Sequence, residues 1–419
     1  MTTAARNGEF YGWTVARAAF VLGFFGWGMG FYGPPVFLGV VGASTGWPVM
    51  LVSAAVTVHF LVGAIVGANL PALHRRLNAA NATKVGALSM LAGVIAWATA
   101  AAPWQLFVAA GLSGWGWGSM SAAALNVIVS PWFARHRPAA LATAYNGGSV
   151  GGIVFSPLWV AAIALFGFPL AAATLGAAMA VAIWILSDRV FSRTPASMGS
   201  TCDGDGCDRT THPPKARAVG ILPGLQLWRD RKFATLAAGM TLGLFAQIGL
   251  TAHLYSLLVP ALGTQHAGFA MGLITLMAIA GRTLLGRLLR PDADRRLIAC
   301  LGYVVQLAGS IVFVLAAGVH IPLLLLGVIL FGTGFGNATS LPPLIAQVEF
   351  AEEDVPRAVA LIVGIAQGGY AFAPALFGII RSLDHDPASS SLGVATGVFL
   401  AAALAQSLAI AAFVAGRGR

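Results

Sequence analysis

An arginine stands inside an apolar run in the second half of this chain. The stretch MAIAGRTLLGRLLRPDADRR covers residues 277–296. Arg287, Arg290, Arg295 and Arg296 fall where a helix would leave a bilayer, but Arg282 lies about two turns, ~10 Å, deeper. An arginine at the centre of a spanning helix costs roughly 2.5–3.5 kcal/mol even on the lenient insertion scale. Snorkelling of the long side chain to the headgroups is the plain structural alternative. Two features weigh against it. Arg287 and Arg290 already occupy that interface, and a helical wheel groups Arg282 with Thr275, Ala278 and Gly286, opposite Leu273, Met277, Leu284 and Leu288. A small, polar face suits a cavity. A buried guanidinium needs a counter-charge, yet all 14 Asp and Glu residues read as lying in termini, loops or helix ends. The simplest partner is an anionic ligand, and a guanidinium fork fits a carboxylate bidentately.

Other groups at membrane depth could complete a binding site. Tyr32, Asn126, Tyr145, Asn146, Phe335, Asn337 and Tyr370 are polar or aromatic residues near glycine-rich segments. Aromatics with one polar handle suit the apolar body of a small organic acid, although each reads equally as packing. His59 and His253 titrate within physiological reach and could carry a coupling proton. Their structural alternative is a hydrogen-bonded interior histidine. No enzyme constellation appears: there is no carboxylate pair at depth, and GWGWG (114–118) lacks the Lys-Ser/Thr of a nucleotide loop. Cys202-x4-Cys207 matches no common zinc spacing, so no metal and no cofactor are expected.

The elements that must position these residues follow from composition. The 419 residues are 58% hydrophobic and 9% charged, where soluble domains carry about 25% charged residues. Twelve segments are long enough to span: 13–41, 50–73, 83–101, 104–130, 138–163, 167–187, 233–260, 268–290, 297–317, 321–347, 357–381 and 392–415. A net charge of +10 could suggest nucleic acid, but 22 of the 24 Lys and Arg fall on one side of these segments. Arg381 falls opposite and Arg282 within. That asymmetry is a topology signal, which predicts cytoplasmic termini. It removes nucleic acid as a partner.

The hydrophilic stretch 188–232 divides the chain into an N-terminal bundle (1–187), a cytoplasmic linker and a C-terminal bundle (233–419). The halves repeat. GWGWG recurs as GTGFG (332–336), and Pro157 recurs as Pro374. Two six-span repeats of the same orientation are the pattern of the major facilitator superfamily, whose substrate sites lie at the repeat interface. The glycines themselves read as close helix packing.

Three stretches resemble the monocarboxylate-transporter and oxalate/formate-antiporter branch of that superfamily: YGWTVARAAF…YGPPVFL…TGWP (11–48), SPWFARHRPAALATAYNGGSVGG (130–152) and AHLYSLLVPALG…AIAGRTLLGRL (252–288). The resemblance implies an all-α, twelve-helix fold and a carboxylate held by the eighth-helix arginine, here Arg282. It implies a loop motif of Gly67, Arg75 and Arg76, repeated as Gly286, Arg295 and Arg296. Pro71 replaces the usual acidic residue of that motif, which predicts a weak charge latch. Ala278 stands where proton-coupled members carry an aspartate, and Gln367 where oxalate-exchanging relatives carry a lysine. Together these imply a monocarboxylate carrier, coupled by anion exchange or by a histidine-assisted proton. The implied partners are a small organic anion, the bilayer and a proton or counter-anion; a monomer in the cell membrane is expected. A drug exporter of the same fold, or a non-transporting membrane receptor or enzyme, stand as alternatives.

Overall fold

The computed structural model describes residues 10–204, 227, 229–288, 294–339, 341–351, 354–383 and 396–417, with backbone alone at 204, 286–288 and 356. Among them the secondary structure is helical throughout. Span 1 is Tyr11–Gly30 continued by Gly33–Thr45, and spans 2 and 3 form the run Val49–Thr99. Span 4 is Pro103–Met120 with Ala122–Val129, span 5 Arg137–Phe166, and span 6 Phe168–Leu186. Span 7 is Arg231–Leu262, span 8 Thr264–Leu288, and span 9 Arg295–Ala316. Span 10 is Ile321–Phe335 with Leu341–Glu349, span 11 Val355–Ala371 with Ala373–Leu383, and span 12 Thr396–Ala415. All twelve predicted segments are therefore present. Nine described helices pass a test of length and apolarity, one of them being the 51-residue run of spans 2 and 3. Spans 4 and 10, interrupted, complete the set.

The interruptions have sequence causes. Pro34 and Pro35 cannot donate to the carbonyls of Gly30 and Phe31, so span 1 breaks at Phe31–Tyr32. Pro342 and Pro343 open the second half of span 10 in the same way. Pro374 accompanies the break of span 11 at Phe372. Spans 2 and 3 bend at Asn78, whose φ of 59° is left-handed and whose Oδ1 accepts the Asn81 N–H at 2.9 Å.

The repeated glycines do pack helices. A Cβ at Gly116 would lie 2.5 Å from Met90 Cβ, and one at Gly332 would lie 2.8 Å from the Ile274 carbonyl. Trp117 belongs to this interior rather than to an interfacial belt: it is 7% exposed, whereas Trp115 is exposed.

The basic loops gather at one end, here called the basic end. There the start of the linker straps across the first six spans. Lys84 pairs with Asp188, Tyr11 Oη donates to the Arg189 carbonyl at 3.1 Å, and Arg193 lies over the Tyr11 ring. Asp203 accepts the backbone N–H groups of Ala134, Arg135 and His136 at 3.2, 2.7 and 3.4 Å. Burial alone would raise the Asp203 carboxyl; those three N–H groups and the His136 charge outweigh it and hold it below the usual value. Cys202 is a free thiol, and Cys207 lies outside the described residues. Among the described residues no cluster could hold a metal ion.

The last six spans carry a stronger clamp. Arg296, 2% exposed, forks onto Glu349 through Nε at 2.6 Å and Nη2 at 2.7 Å. It also donates to Thr235 at 3.1 Å and to the Lys232 carbonyl at 2.9 Å. One guanidinium thus ties spans 7, 9 and 10. The weak latch expected from Pro71 describes only the first copy, where Arg75 and Arg76 are exposed; the second copy has a carboxylate in Glu349. Gly67 faces Ser121 and Ala123 of span 4 with ordinary spacing. Gly286 falls where the backbone alone is described.

Candidate substrate cavity

Arg282 lies six residues from the end of span 8, whose Thr275 and Ala278 are buried while Leu276 and Leu284 are exposed. The small-residue face is therefore turned inward. Spans 8 and 10 approach closely because glycine occupies positions 281, 332 and 336. That approach sets the Arg282 Nε–H on the Gly336 carbonyl at 3.0 Å. Gly336 ends the first half of span 10, where carbonyls lack intrahelical partners and the dipole is negative.

One donor of five is thereby used. Among the described residues no carboxylate pairs with Arg282, and no partner is found for its Nη groups. The residue is nonetheless solvent-exposed. Its hydrogen bond to span 10 turns the side chain toward that neighbour. Tyr32 is 8% exposed and sits at the break of span 1, its ring against Gly152 of span 5 and beside Thr275 of span 8.

Where the gap between the halves closes can be read from contacts across it. Ala375 N–H donates to Thr57 Oγ1 at 3.0 Å. Phe60 meets Tyr370 at 6.3 Å between centroids. Gly39 lies against Tyr255 and Ser256, Gly268 against Val160 and Pro157, Gly272 against Ile153, and Gly378 against Ser53. These joints stand on the half of each span away from the basic end. Arg282 stands between these joints and the basic end.

The other predicted residues fall in several places. Asn126 Nδ2 donates to Tyr145 Oη at 2.6 Å, joining spans 4 and 5; Asn126 and Asn146 are exposed and Tyr145 half-buried. Gln367 and Tyr370 are half-buried on one face of span 11. Phe335 is half-buried one residue before the Arg282 acceptor, and its carbonyl accepts from Gln247 at 3.4 Å. Asn337 turns elsewhere. It lines a small cavity with Tyr303, Gln306 and Phe413 between spans 9, 10 and 12.

The two histidines differ. The Gly30 carbonyl, which Pro34 cannot satisfy, accepts from His59 Nε2 at 2.8 Å. Its Nδ1 is bonded to Ser113 Oγ at 2.8 Å, and Trp97 Nε1 donates to the same oxygen at 3.0 Å. Both ring nitrogens of His59 are thus engaged, and it caps the helix break inside the first six spans. His253 donates Nε2–H to the Pro374 carbonyl at 2.9 Å, while its buried Nδ1 has no partner among the described residues. It sits at the closed end, beside Gly378 and Ser53.

Phe31 and Phe60 were not singled out from sequence. Phe31 lies 5.0 Å from Tyr32 and 6.1 Å from Phe60 between ring centroids. The signal available was the proline pair, which forces a break and turns its flanking aromatics toward the gap.

The fold has many relatives among solved structures. A mutant of the nucleoside transporter NupG superposes with a TM-score of 0.73 at 14% identity, covering 97% of this chain and 100% of that one. A bacterial homolog of the human lysosomal transporter Spinster, in an inward-facing and occupied conformation, gives 0.67 at 14% identity, covering 98% and 95%. The D-xylose-proton symporter gives 0.69 at 15% identity, covering 97% of each chain. At these identities the likeness is one of fold. No curated protein sequence matches significantly. The sequence profile of the Major Facilitator Superfamily, however, matches residues 97–374, about two thirds of the chain. With twelve spans and that match, the chain belongs to the major facilitator superfamily of membrane transporters.

Proposed function

We propose that this transporter carries a small organic monocarboxylate across the membrane, with the anion held by Arg282. One observation carries the reading: an exposed guanidinium at membrane depth donates through Nε to the Gly336 carbonyl, and among the described residues no carboxylate partner is found for it. A bound carboxylate supplies the missing charge and accepts two parallel N–H bonds. Gln367 can hydrogen-bond but cannot neutralise a second charge, which favours a monoanion over oxalate. Tyr32 and Thr275, which lie together against Gly152, stand about two turns from the arginine toward the closed end.

Transport then proceeds by rocking of residues 1–187 against 233–419 about the cavity, linked through 188–232. The positive-inside rule assigns the basic end and both termini to the cytoplasm of the cell membrane, so the conformation described is inward-facing. Coupling runs by anion exchange or through a proton. His253 at the closed end is the better histidine for the latter, because both nitrogens of His59 are already engaged. The exporter of large apolar compounds is disfavoured by a lone cation at depth.

Proteoliposome uptake tests the reading. Carboxylate transport lost in Arg282→Ala and strongly reduced in Arg282→Lys supports it, since lysine keeps the charge but not the fork. Uptake unchanged in both variants would mean that Arg282 does not hold the cargo.

A further inference from the structure

The roof of the cavity is built from rings. Phe31 follows Tyr32's ring at 5.0 Å, Phe60 follows Phe31 at 6.1 Å, and Tyr370 meets Phe60 at 6.3 Å from the opposite half. Trp117 backs Phe31 at 6.0 Å. Phe31 and Tyr370 keep part of their surface accessible, yet neither faces lipid. The halves of span 1 pack against spans 2, 4, 5, 6 and 7, and Tyr370 points across the gap to Phe60. Their open surface therefore belongs to the cavity. In an α-helix the Arg282 side chain leans back toward the N-terminus of its own span, toward Thr275 and the level of these rings.

We propose that the carried acid has an aromatic body: its carboxylate forks onto Arg282 while its ring lies on a shelf of Phe31 and Tyr370, which the buried Phe60 backs and joins. This rests on the carboxylate reading above and adds the cargo's other end. The accessible ring surface of Phe31 and Tyr370 favours an offset-stacked or edge-on aryl group over an aliphatic chain or a second charged group. A simple two- or three-carbon acid would leave the shelf uncovered, and an oxalate-like dianion would place its second charge against it. The shelf also joins the two halves through Phe60 and Tyr370, so a ring bound there lies where rocking separates them.

The experiment compares acetate, phenylacetate and neutral phenylacetamide by calorimetric titration and ligand-concentration melting curves on the purified full-length protein. Phenylacetate should bind at least about tenfold tighter than acetate, the yield of burying one phenyl group. Phe31→Leu and Phe60→Leu should each lower that ratio several-fold, and cooperative melting curves of the unliganded variants show that they are folded. Arg282→Gln should weaken both acids alike. Equal binding of acetate and phenylacetate, or a ratio unmoved by either Phe→Leu variant, overturns the aromatic body and leaves the arginine reading standing. Phenylacetamide binding as tightly as phenylacetate overturns the carboxylate reading, and this proposal with it.

Discussion

Replacing Gly332 with alanine is a one-methyl test of how the cavity wall is held. Gly332 lies on span 10 one turn before Gly336, the residue whose carbonyl orients Arg282. A Cβ there would sit 2.8 Å from the Ile274 carbonyl oxygen and 2.9 Å from both Ile274 Cα and Met277 Cβ of span 8. Comfortable carbon contacts begin near 3.5 Å. Two of the three obstructing atoms are backbone, so spans 8 and 10 must separate by roughly 0.6 Å or more. Overpacking of this kind costs about 1–3 kcal/mol, and a separation of that size stretches the Arg282–Gly336 bond past useful length. A hydrogen bond to a charged group contributes about 1.5 kcal/mol, or roughly tenfold in affinity. The expected phenotype of Gly332→Ala is thus a lowered melting temperature in detergent together with about tenfold weaker acid binding. Gly111 on span 4 is the control, since a Cβ there meets nothing within 4 Å; Gly111→Ala should be neutral or slightly stabilising. If Gly332→Ala melts and binds like the parent protein, the close approach of spans 8 and 10 does not position Arg282.

Three further outcomes are expected. Glu349→Ala leaves the 2%-exposed Arg296 as an unpaired buried charge, so it should destabilise by about 3–5 kcal/mol; Glu349→Gln, which keeps an acceptor, should be milder in the same melt. His59→Gln should lower the melting temperature through loss of the Gly30 cap without altering the pH profile of uptake, whereas His253→Gln should flatten any proton dependence. Asp203 has a depressed carboxyl in the docked strap, so its contribution is present above the ordinary carboxylate range and disappears as pH falls through the lower, folded value. Hydrogen exchange of residues 192–204 should therefore rise in acid, and at neutral pH in Asp203→Asn; exchange unchanged in that variant would show that Asp203 does not anchor the strap.

Much of the architecture was legible in sequence because a bilayer imposes one-dimensional rules. Apolar length gave the twelve spans, and the six-plus-six repeat gave the family. The depth of Arg282 among apolar neighbours singled it out. The roles of the histidines were not legible. His59 and His253 look alike as lone membrane histidines, and only the carbonyl freed by Pro34 shows that one of them is a cap. Asn337 was read among the polar groups at membrane depth; that it lines the small cavity between spans 9, 10 and 12 came only from the structure.

The amino-acid sequence by itself determined which segments cross, because hydrocarbon admits only self-satisfied apolar helices. It also determined that a permanent cation lies among them with every carboxylate of the chain near an end. Tertiary structure decided what that cation faces. Residues 32 and 282 are 250 positions apart, and no local rule relates them. Their surroundings are set because glycines let span 8 lie against span 10, where Arg282 reaches the Gly336 carbonyl, and because a proline pair breaks span 1, which seats Tyr32 against Gly152 and beside Thr275 of span 8.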